Sequence, residues 1–421
     1  MTMGCNVRLL ALADDLTGAL EVGGIFGGRG AVSLVTTELT LSPPGLTAAT
    51  SVLTIDTDSR HLPPEQAADR IGELARRAAA GDISLIYKKT DSTLRGNIGA
   101  ELRALMDAFP DQPLVYAPAY PKMGRTCKGG RLYVDGTPVH ETSFAADPLD
   151  PITDPCVRAR LAPWFPDSAV FEVRTDELAE KIGRCDRAAV FVCDGETDED
   201  LSRTAQALVA GGRLRLAAGP AGLAGAIAQE LDLPARGRVD LPRPARSLTI
   251  CGSLNPVSRR QVEHAQAAGV PVVTASREEL MASQPLDGTP EGGLVARALR
   301  EIRTHGHAIL HTAPCPDRVR RPGVQEHAAH LQVARRIGEA VRALVAPANL
   351  DALVICGGDT ARAVLDALGH PTIEGLGEVA SGVPHSRFRA EGRELRLVTK
   401  AGGFGPVDVL CTIQEFLTAD Q

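Results

Sequence analysis

The chain has 421 residues, 44 % of them hydrophobic and 23 % charged, and its formal net charge is −7. At roughly 150 residues per domain, this length predicts two or three domains. The acidic balance and an aromatic content of 3 % argue against a nucleic-acid partner, which would need a clustered basic surface. No run approaches the roughly 18 apolar residues of a membrane span and no signal-peptide pattern is present, so we expect a cytoplasmic protein with no membrane partner.

In the first part of the chain, predicted strands alternate with predicted helices. Helices are predicted from Leu16 and over residues 63–80. Polar residues cluster where strands end, as at Asp14 and Asp15 and again before Arg60. Such alternation is typical of a doubly wound α/β fold with a mainly parallel sheet, in which ligands bind at the carboxyl ends of the strands. The predicted strands cover residues 7–13, 31–36, 51–55, 83–87 and 114–117.

The densest polar cluster follows the predicted strand at 83–87. A helical pattern of apolar residues then begins at Ile98. Packed charges of both signs at a strand end predict a site for a small, anionic, hydroxylated ligand. The alternative is a solvated, well-capped helix start, with Asp91 or Ser92 as the cap. Between strand and helix lie Lys88, Lys89, Thr90, Asp91, Ser92 and Arg95.

Regular structure is harder to predict between residues 118 and 155, where a small hairpin is expected within 129–136. Strands resume at 169–173 and 188–193. The segment 233–246 is rich in proline and arginine and lacks periodicity, which is typical of a linker. We therefore predict one domain at residues 1–235, a linker at 236–246 and a second domain at 247–421.

In the second part of the chain, a predicted strand followed by a glycine-rich turn occurs three times. The strands are 248–251, 353–356 and 395–399. Two of the turns lead into helices that we expect to begin at Pro256 and Pro406. Glycine lets the backbone approach a ligand closely, and a helix N-terminus offers free N–H groups, so the turns predict a phosphate site. The turn residues are Gly252 and Ser253, Gly357 to Thr360, and Lys400 to Gly405.

Taken together, the motifs resemble the four-carbon acid sugar kinase family. The matching segments run in order from residue 13 to residue 405, and the most specific is Lys88–Asn97. The sequence departs from the family pattern at two places. The residues before Gly382, Glu378 to Ser381, lack a proline that is expected close to this glycine. Ala401 stands where many relatives carry serine. The other matching segments are Ala13–Ala19, Thr57–Arg60, Pro118–Thr126, Cys251–Ser253, Gly357–Thr360, Ser381–Pro384 and Lys400–Gly405.

The resemblance implies two doubly wound, mainly parallel-sheet domains that face a shared cleft. The N-terminal domain would bind the acid sugar and the C-terminal domain the nucleotide. The implied reaction is ATP-dependent phosphorylation of the terminal hydroxyl of a four-carbon sugar acid, with D-threonate as the first choice and erythronate or 3-oxo-tetronate close behind. ATP and Mg²⁺ are the expected cofactors, and a homodimer is the default oligomer for such an enzyme.

On the acceptor side, this resemblance and the residue chemistry assign roles to the polar clusters. We expect Arg60, Lys89 and Arg95 to hold the substrate carboxylate. Asp15, or else Asp91, is the expected general base. The substrate hydroxyls are expected to bind Asp14, Asp15, Thr90, Asp91 and Ser92.

On the nucleotide side, the glycine turns are expected to hold the phosphates of ATP. Asp359 is expected to contact Mg²⁺ or a ribose, or else merely to cap its helix. Lys400 is expected to neutralise the transferred phosphate, or else to be an ordinary strand-end lysine. The phosphate ligands are expected to be Ser253, Gly357, Gly358, Thr360, Gly402, Gly403 and Gly405.

Three other functional classes fit parts of the sequence. A NAD-dependent dehydrogenase would need a strong glycine fingerprint after the first strand, where Asp14 and Asp15 stand instead. The nearest such pattern, residues 375–380, follows a polar segment. A non-catalytic sensor of sugar acids would not need three phosphate turns. An aldolase or dehydratase with Lys89 as Schiff-base amine would leave the second domain unexplained.

Overall fold

The computed structural model describes residues 6–147, 149–166, 169–185, 188–210, 214–237, 239, 241–253, 255–281, 292–312 and 324–419. The chain consists of two compact units, Met1–Arg236 and Gly237–Gln421. The division falls at the start of the segment for which we predict a linker. That two domains face a shared cleft stays a prediction.

A parallel sheet runs through the first unit. Its first strand, Leu9–Ala13, is apolar along its whole length and every residue of it is buried, as a sheet covered on both faces requires. The strands of the unit, in chain order, are β1 (Leu9–Ala13), β2 (Ser33–Thr36), β3 (Val52–Asp56), β4 (Leu85–Lys89), β5 (Leu114–Tyr116), β6 (Arg125–Lys128), β7 (Arg131–Val134), β8 (Thr137–Pro138), β9 (Val170–Val173), β10 (Val190–Cys193) and β11 (Leu216–Gly219). The parallel sheet has the order β2-β3-β1-β4-β11-β5-β10-β9.

Helices pack on this sheet through apolar stripes of helical period. The stripe is clearest in the second helix, which starts at Pro64 and buries Ile71, Leu74, Ala75 and Ala78. The helices are α1 (Leu16–Gly28), α2 (Pro64–Ala79), α3 (Ile98–Asp107), α4 (Val157–Leu161), α5 (Leu178–Gly183), α6 (Asp198–Ala210) and α7 (Ala221–Glu230). Helix α2 packs against α3, and α1 packs against α7.

Strand β4 differs from its prediction at both ends. We expected a strand over 83–87 followed by two lysines, but the strand begins at Leu85 and includes Lys88 and Lys89. Both lysines are buried because each ammonium has partners inside the protein: Lys88 pairs with Glu101, and Lys89 donates to the carbonyl of Thr90. Hydropathy alone could not reveal those partners.

The hairpin expected within 129–136 is present, but it extends beyond that range at both ends. Strands β6, β7 and β8 form a small antiparallel sheet. The turn between β7 and β8 has φ values of 50° at Asp135 and 78° at Gly136, the left-handed conformation that a tight hairpin turn requires.

The second unit has a mixed sheet. Its strands are β12 (Ser247–Cys251), β13 (Val272–Ala275), β14 (His307–Thr312), β15 (Ala352–Cys356), β16 (Ile373–Ala380), β17 (Val383–Ala390) and β18 (Arg393–Lys400). Its helices are α8 (Pro256–Ala267), α9 (Arg277–Met281), α10 (Leu294–His305), α11 (Val324–Val345), α12 (Gly358–Ala367) and α13 (Val409–Thr418). The sheet order is β13-β14-β12-β15-β18-β17-β16, so the strands that precede the three glycine turns, β12, β15 and β18, are neighbours.

One feature of the second unit was not predicted, and one expectation is wrong. Residues 375–380 lie in β16, and β16, β17 and β18 form an antiparallel meander that we did not predict. Helix α13 begins at Val409 rather than at Pro406, because the carbonyls of Phe404, Gly405 and Pro406 all accept from Gln261 and this loop is not helical. Pro256, in contrast, is the first residue of α8, as expected. None of the helices in the described ranges is long and apolar enough to span a membrane.

Candidate active site

At the carboxyl end of the first unit's sheet, one arginine joins two aspartates. Arg60 donates from Nε and Nη2 to the two carboxylate oxygens of Asp14, at 2.7 and 3.0 Å, and from Nη1 to Asp15 Oδ2 at 2.9 Å. Burial alone would raise the pKa of Asp14. The positive charges of Arg60, Lys88 and Lys89 nevertheless bring this pKa below its ordinary value. Asp14 is therefore a carboxylate at neutral pH.

Asp15 has a second role as the N-cap of α1. Its Oδ1 accepts from the backbone N–H of Gly18 at 3.0 Å, which satisfies one free donor of the first helical turn. A Cβ atom on Gly18 would lie 2.7 Å from both Asp15 Oδ1 and Lys89 Nζ. The carboxylate and the ammonium thus flank one small volume, which only a glycine at position 18 leaves open.

The turn after β4 is organised by Asp91. Its Oδ2 accepts from the backbone N–H and the hydroxyl of Thr93, and Arg95 donates to both of its oxygens, from Nε at 3.1 Å and Nη2 at 2.8 Å. Burial opposes ionisation, but Arg95 and Arg60 hold the pKa of Asp91 well below its usual range. Helix α3 begins only at Ile98, so neither Asp91 nor Ser92 caps it.

Both arginines direct paired guanidinium N–H groups to an aspartate rather than leaving them free for a ligand. Arg60 is bidentate to Asp14 and Arg95 to Asp91, while Arg95 Nη1 reaches Asp147 at 3.1 Å. Lys89 Nζ has a hydrogen bond to one backbone carbonyl, at 2.9 Å. An ammonium has three donors, so Lys89 keeps capacity for an anionic ligand.

Thr90 and Ser92 complete the group that we predicted on this side. Thr90 is buried and its backbone N–H bonds the carbonyl of Gly219 at 3.0 Å, which ties the turn to β11. Its hydroxyl lies beside that of Tyr116, whose pKa is raised by burial. Ser92 is half-buried. All the predicted acceptor residues therefore lie at the ends of β1, β3 and β4, which are neighbouring strands.

The turn after β4 is also held by Phe144 and Asp150, which the sequence did not single out. Asp150 Oδ2 accepts from the backbone N–H of Gly96 and from Arg160 Nη2, both at 2.6 Å. The ring of Phe144 lies 5.3 Å from the guanidinium carbon of Arg95, in cation–π contact. Residues in irregular loops give no periodic signal, so only the three-dimensional structure reveals these contacts.

In the second unit, the three glycine turns leave the sheet side by side. Cys251 is in register with Cys356, and Cys356 with Lys400, so β12, β15 and β18 end at the same level. The chain continues to one side of β12 with β13 and β14 and to the other side with β15 and β18, and such a switch point is where open α/β sheets bind ligands.

The turns approach one another closely enough to require glycine. A Cβ atom on Gly402 would lie 2.1 Å from Ser253 Oγ, and one on Gly252 would lie 2.3 Å from Thr360 Oγ1. Gly357 and Gly405 have φ values of 110° and 86°, which other residues rarely adopt. Gly403 packs beside Asn255, whose Oδ1 caps α8 by accepting from Val257 at 2.9 Å.

Lys400 is the most unusual side chain of this unit. It is 1 % exposed, and its Nζ has no hydrogen-bond partner in the described structure. A hydrogen bond with Cys356 and the charge of Lys400 lower the pKa of Cys251, against the effect of burial. A buried ammonium without a partner is costly, and an anionic ligand would supply the missing partner.

Residues 9–227 match a family described as the sugar-binding N-terminal domain, and residues 248–410 match one described as the nucleotide-binding C-terminal domain. The chain is 32 % identical to a D-threonate kinase of Salmonella typhimurium, over 96 % of this chain and 97 % of the relative. The chain belongs to the four-carbon acid sugar kinase family. It is accordingly a phosphotransferase with an alcohol group as acceptor.

Other relatives of this kinase agree. It is 33 % identical to a D-threonate kinase of Bordetella bronchiseptica, over 95 % of both chains. It is 27 % identical to a D-erythronate kinase of Heliobacterium modesticaldum, over 97 % of both chains. A crystal structure of a Salmonella typhimurium protein, 21 % identical, has the same fold, with a TM-score of 0.80 over 97 % of this chain and 99 % of that one.

Sequence reasoning missed several residues that support the candidate site in each unit. In the second unit, Ser258 Oγ donates to the carbonyl of Gly402 at 2.6 Å and Gln261 holds the carbonyls of residues 404–406. In the first unit, Lys88 and Glu101 form a buried ion pair. Glu101 left a signal: it falls on the apolar stripe of α3 with Ile98, where a charge requires a buried partner.

Proposed function

We propose that the protein is an ATP-dependent kinase that phosphorylates the terminal hydroxyl of D-threonate. The observation that carries the proposal is the buried Lys400 ammonium at the end of β18, beside three glycine turns, for which the described part of the chain offers no hydrogen-bond partner. Polyphosphate is the ligand that suits free backbone N–H groups, close-approaching glycines and an unpaired ammonium.

For the nucleotide, each turn has a role. The backbone at Gly357 and Gly358 starts α12 and offers N–H groups to a phosphate. Gly402 and Gly403 let their turn pack closely against Ser253 and Asn255. Lys400 then neutralises charge on the transferred phosphate. The remaining ligands in this proposal are Ser253, Thr360 and Gly405.

The metal expected with ATP is Mg²⁺, and Asp359 fits it. Asp359 lies exposed in the first turn of α12. No group of three His, Cys, Asp or Glu side chains in the described residues forms a complete metal site. This agrees with the usual mode of Mg²⁺ binding, in which one or two carboxylates share the ion with substrate phosphates and water. Bound there, the ion would neutralise phosphate charge.

For the acceptor, the contacts refine the expected roles. Arg60 and Arg95 are bidentate to Asp14 and Asp91, so they orient these carboxylates toward the substrate hydroxyls. Lys89 binds the substrate carboxylate with its remaining donors. Asp15 accepts the proton of the attacking hydroxyl, since its side chain is 27 % exposed whereas that of Asp14 is 1 % exposed.

Sequence identity to the relatives favours D-threonate over the other four-carbon acids. Two D-threonate kinases are 32 % and 33 % identical to this chain, whereas the D-erythronate kinase is 27 % identical. Threonate and erythronate differ at one stereocentre, and a site that hydrogen-bonds substrate hydroxyls discriminates strongly when one bond is lost.

The test is a coupled assay of ADP release with ATP, Mg²⁺ and a panel of D-threonate, D-erythronate, their L-epimers and 3-oxo-tetronate. We expect the highest kcat/KM with D-threonate and a product phosphorylated at the terminal carbon by ³¹P NMR. A higher kcat/KM with another acid would overturn the choice of substrate. ADP release with none of the acids would overturn the proposed reaction for this panel.

A further inference from the structure

A buried ion pair lies directly beneath the acceptor site. Lys88 Nζ is 3.1 Å from Glu101 Oε2, and the two side chains are 0 % and 1 % exposed. Removing two charges from water is costly, so a buried pair of this kind is weak support for stability and invites a functional explanation. Neither residue is among those assigned to substrate above.

Glu101 also joins a chain of hydrogen bonds that crosses three strand ends. Ser59 Oγ donates to Glu101 Oε1 and lies 2.8 Å from Thr57 Oγ1, which in turn donates to the carbonyl of Ala13 at 2.7 Å. The backbone N–H of Ser59 bonds the carbonyl of Asp14 at 3.0 Å. One carboxylate of α3 thereby connects the ends of β1, β3 and β4.

Three members of this network are sequence neighbours of residues in the acceptor site. Ala13 precedes Asp14, Ser59 precedes Arg60, and Lys88 precedes Lys89. A displacement of the network would therefore move the three acceptor groups relative to one another. Charge couples them as well, because Lys88 is one of the cations that lower the pKa of Asp14.

We propose that Glu101 is a positioning residue for phosphoryl transfer. Through Lys88 and Ser59 it fixes the places of Asp14, Arg60 and Lys89, without touching the substrate. The inference rests on the proposed function for its kinetic readout, whereas its structural readout is independent of the substrate.

The decisive variant is Glu101→Gln, which keeps the size and an acceptor for Ser59 but leaves Lys88 without its counter-charge. Misplacement of a reacting group by about 1 Å reduces rates by about 100-fold, so we expect kcat to fall by that order while the KM for ATP stays within about twofold. Glu101→Asp keeps the charge and should recover part of kcat. The matched control is Glu73→Gln on α2, whose side chain is 69 % exposed, and it should behave as wild type.

The second readout is the crystal structure of Glu101→Gln, in which we expect the bidentate Arg60–Asp14 contact to be broken or displaced. Wild-type kcat in this variant, or an Arg60–Asp14 contact and Lys89 position unchanged from wild type, would overturn the inference. If the wild-type enzyme phosphorylates no acid, the proposed function fails and the crystal structure alone decides the inference.

Glu101→Gln leaves the buried Lys88 ammonium with its hydrogen bond to the carbonyl of Lys89 but without its carboxylate partner, and could fail to fold. The double variant Lys88→Met, Glu101→Gln removes both charges and is expected to fold, because replacing a whole buried pair costs far less than breaking it. We expect this variant to stay at least about tenfold slower than wild type, since the link from α3 to β4 is gone. A double variant with the wild-type kcat would contradict a positioning role.

Discussion

Asp15 differs from the other carboxylates of the acceptor site in its exposure: its side chain is 27 % exposed, against 1 % for Asp14 and 7 % for Asp91. One oxygen caps α1 and the other accepts from Arg60. Asparagine caps helices as well as aspartate does, so Asp15→Asn should leave the unfolding temperature nearly unchanged. If Asp15 is the base, turnover should fall by about 10²–10⁴-fold with the dissociation constant of ATP unaltered, as calorimetry would show.

The control for this prediction is Asp200→Asn. Asp200 likewise accepts backbone N–H groups at the start of a helix, from Glu196 and Thr197, but belongs to no predicted site. It should retain wild-type turnover. Full activity in Asp15→Asn would remove Asp15 as the general base.

At this scale, the sequence predicts which side chains cluster but not how they pair. Asp14, Arg60 and Asp91 were expected together because parallel strands bring their carboxyl ends to one edge. That Arg60 would turn its fork toward Asp14 rather than toward a ligand depends on distances of a few tenths of an ångström, which no residue pattern encodes.

Strands β17 and β18 carry a buried histidine that should make the second unit sensitive to acid. Arg396 Nε donates to His385 Nε2 at 3.2 Å, and burial together with the charge of Arg396 lowers the pKa of His385 to about 3. Between the unfolded pKa of 6.5 and about 3, the unfolded chain binds a proton that the folded unit does not. Stability therefore falls as pH falls through this window, by up to about 1.4 kcal/mol per pH unit.

Amide hydrogen exchange of β17 and β18 at pH 6.5, 5.5 and 4.5, corrected for intrinsic rates, would measure this loss. His385→Gln keeps an acceptor for Arg396 and cannot take up the proton, so its opening free energy should depend less on pH. The exposed His264→Gln is the control and should keep the wild-type slope. Equal slopes in all three proteins would contradict the prediction.

At the scale of elements, periodicity and turn residues predict most strands of the first unit to within two or three residues. The largest shift is in β4, where buried lysines look like the end of a strand although they belong to it. The meander of β16, β17 and β18 escaped prediction because its strands follow one another without a helix and mix polar with apolar residues. Antiparallel pairing depends on neighbours across the sheet, which a local pattern does not contain.

At the scale of the whole molecule, substitution of Lys89 and of Lys400 should each affect a different substrate. Lys89→Met should raise the KM for the sugar acid by about 10–100-fold, the value of a charge-assisted hydrogen bond, with the dissociation constant of ATP unchanged. Lys400→Met should weaken ATP binding or turnover instead and leave the binding of the acid unchanged. Calorimetry with each ligand separately checks both statements.

The same two substitutions also distinguish a functional role from a structural one. Lys400→Met removes a buried charge that has no hydrogen-bond partner among the described residues, so the variant should be at least as stable as the wild type while it loses activity. If Lys400→Met lowered stability and kept activity, Lys400 would be a structural residue. If each lysine variant weakened both ligands equally, the assignment of one ligand to each unit would be wrong.

The pair of consecutive lysines in β4 has a consequence for how this protein can change. Successive side chains of a strand point to opposite faces, so Lys88 meets Glu101 of α3 while Lys89 lies against Gly18 of α1. Inserting or deleting one residue within β4 would exchange these destinations, sending Lys89 or Tyr87 to Glu101. A slip of one residue in either direction therefore removes one of the two lysine contacts, so insertions and deletions should be confined to the loops.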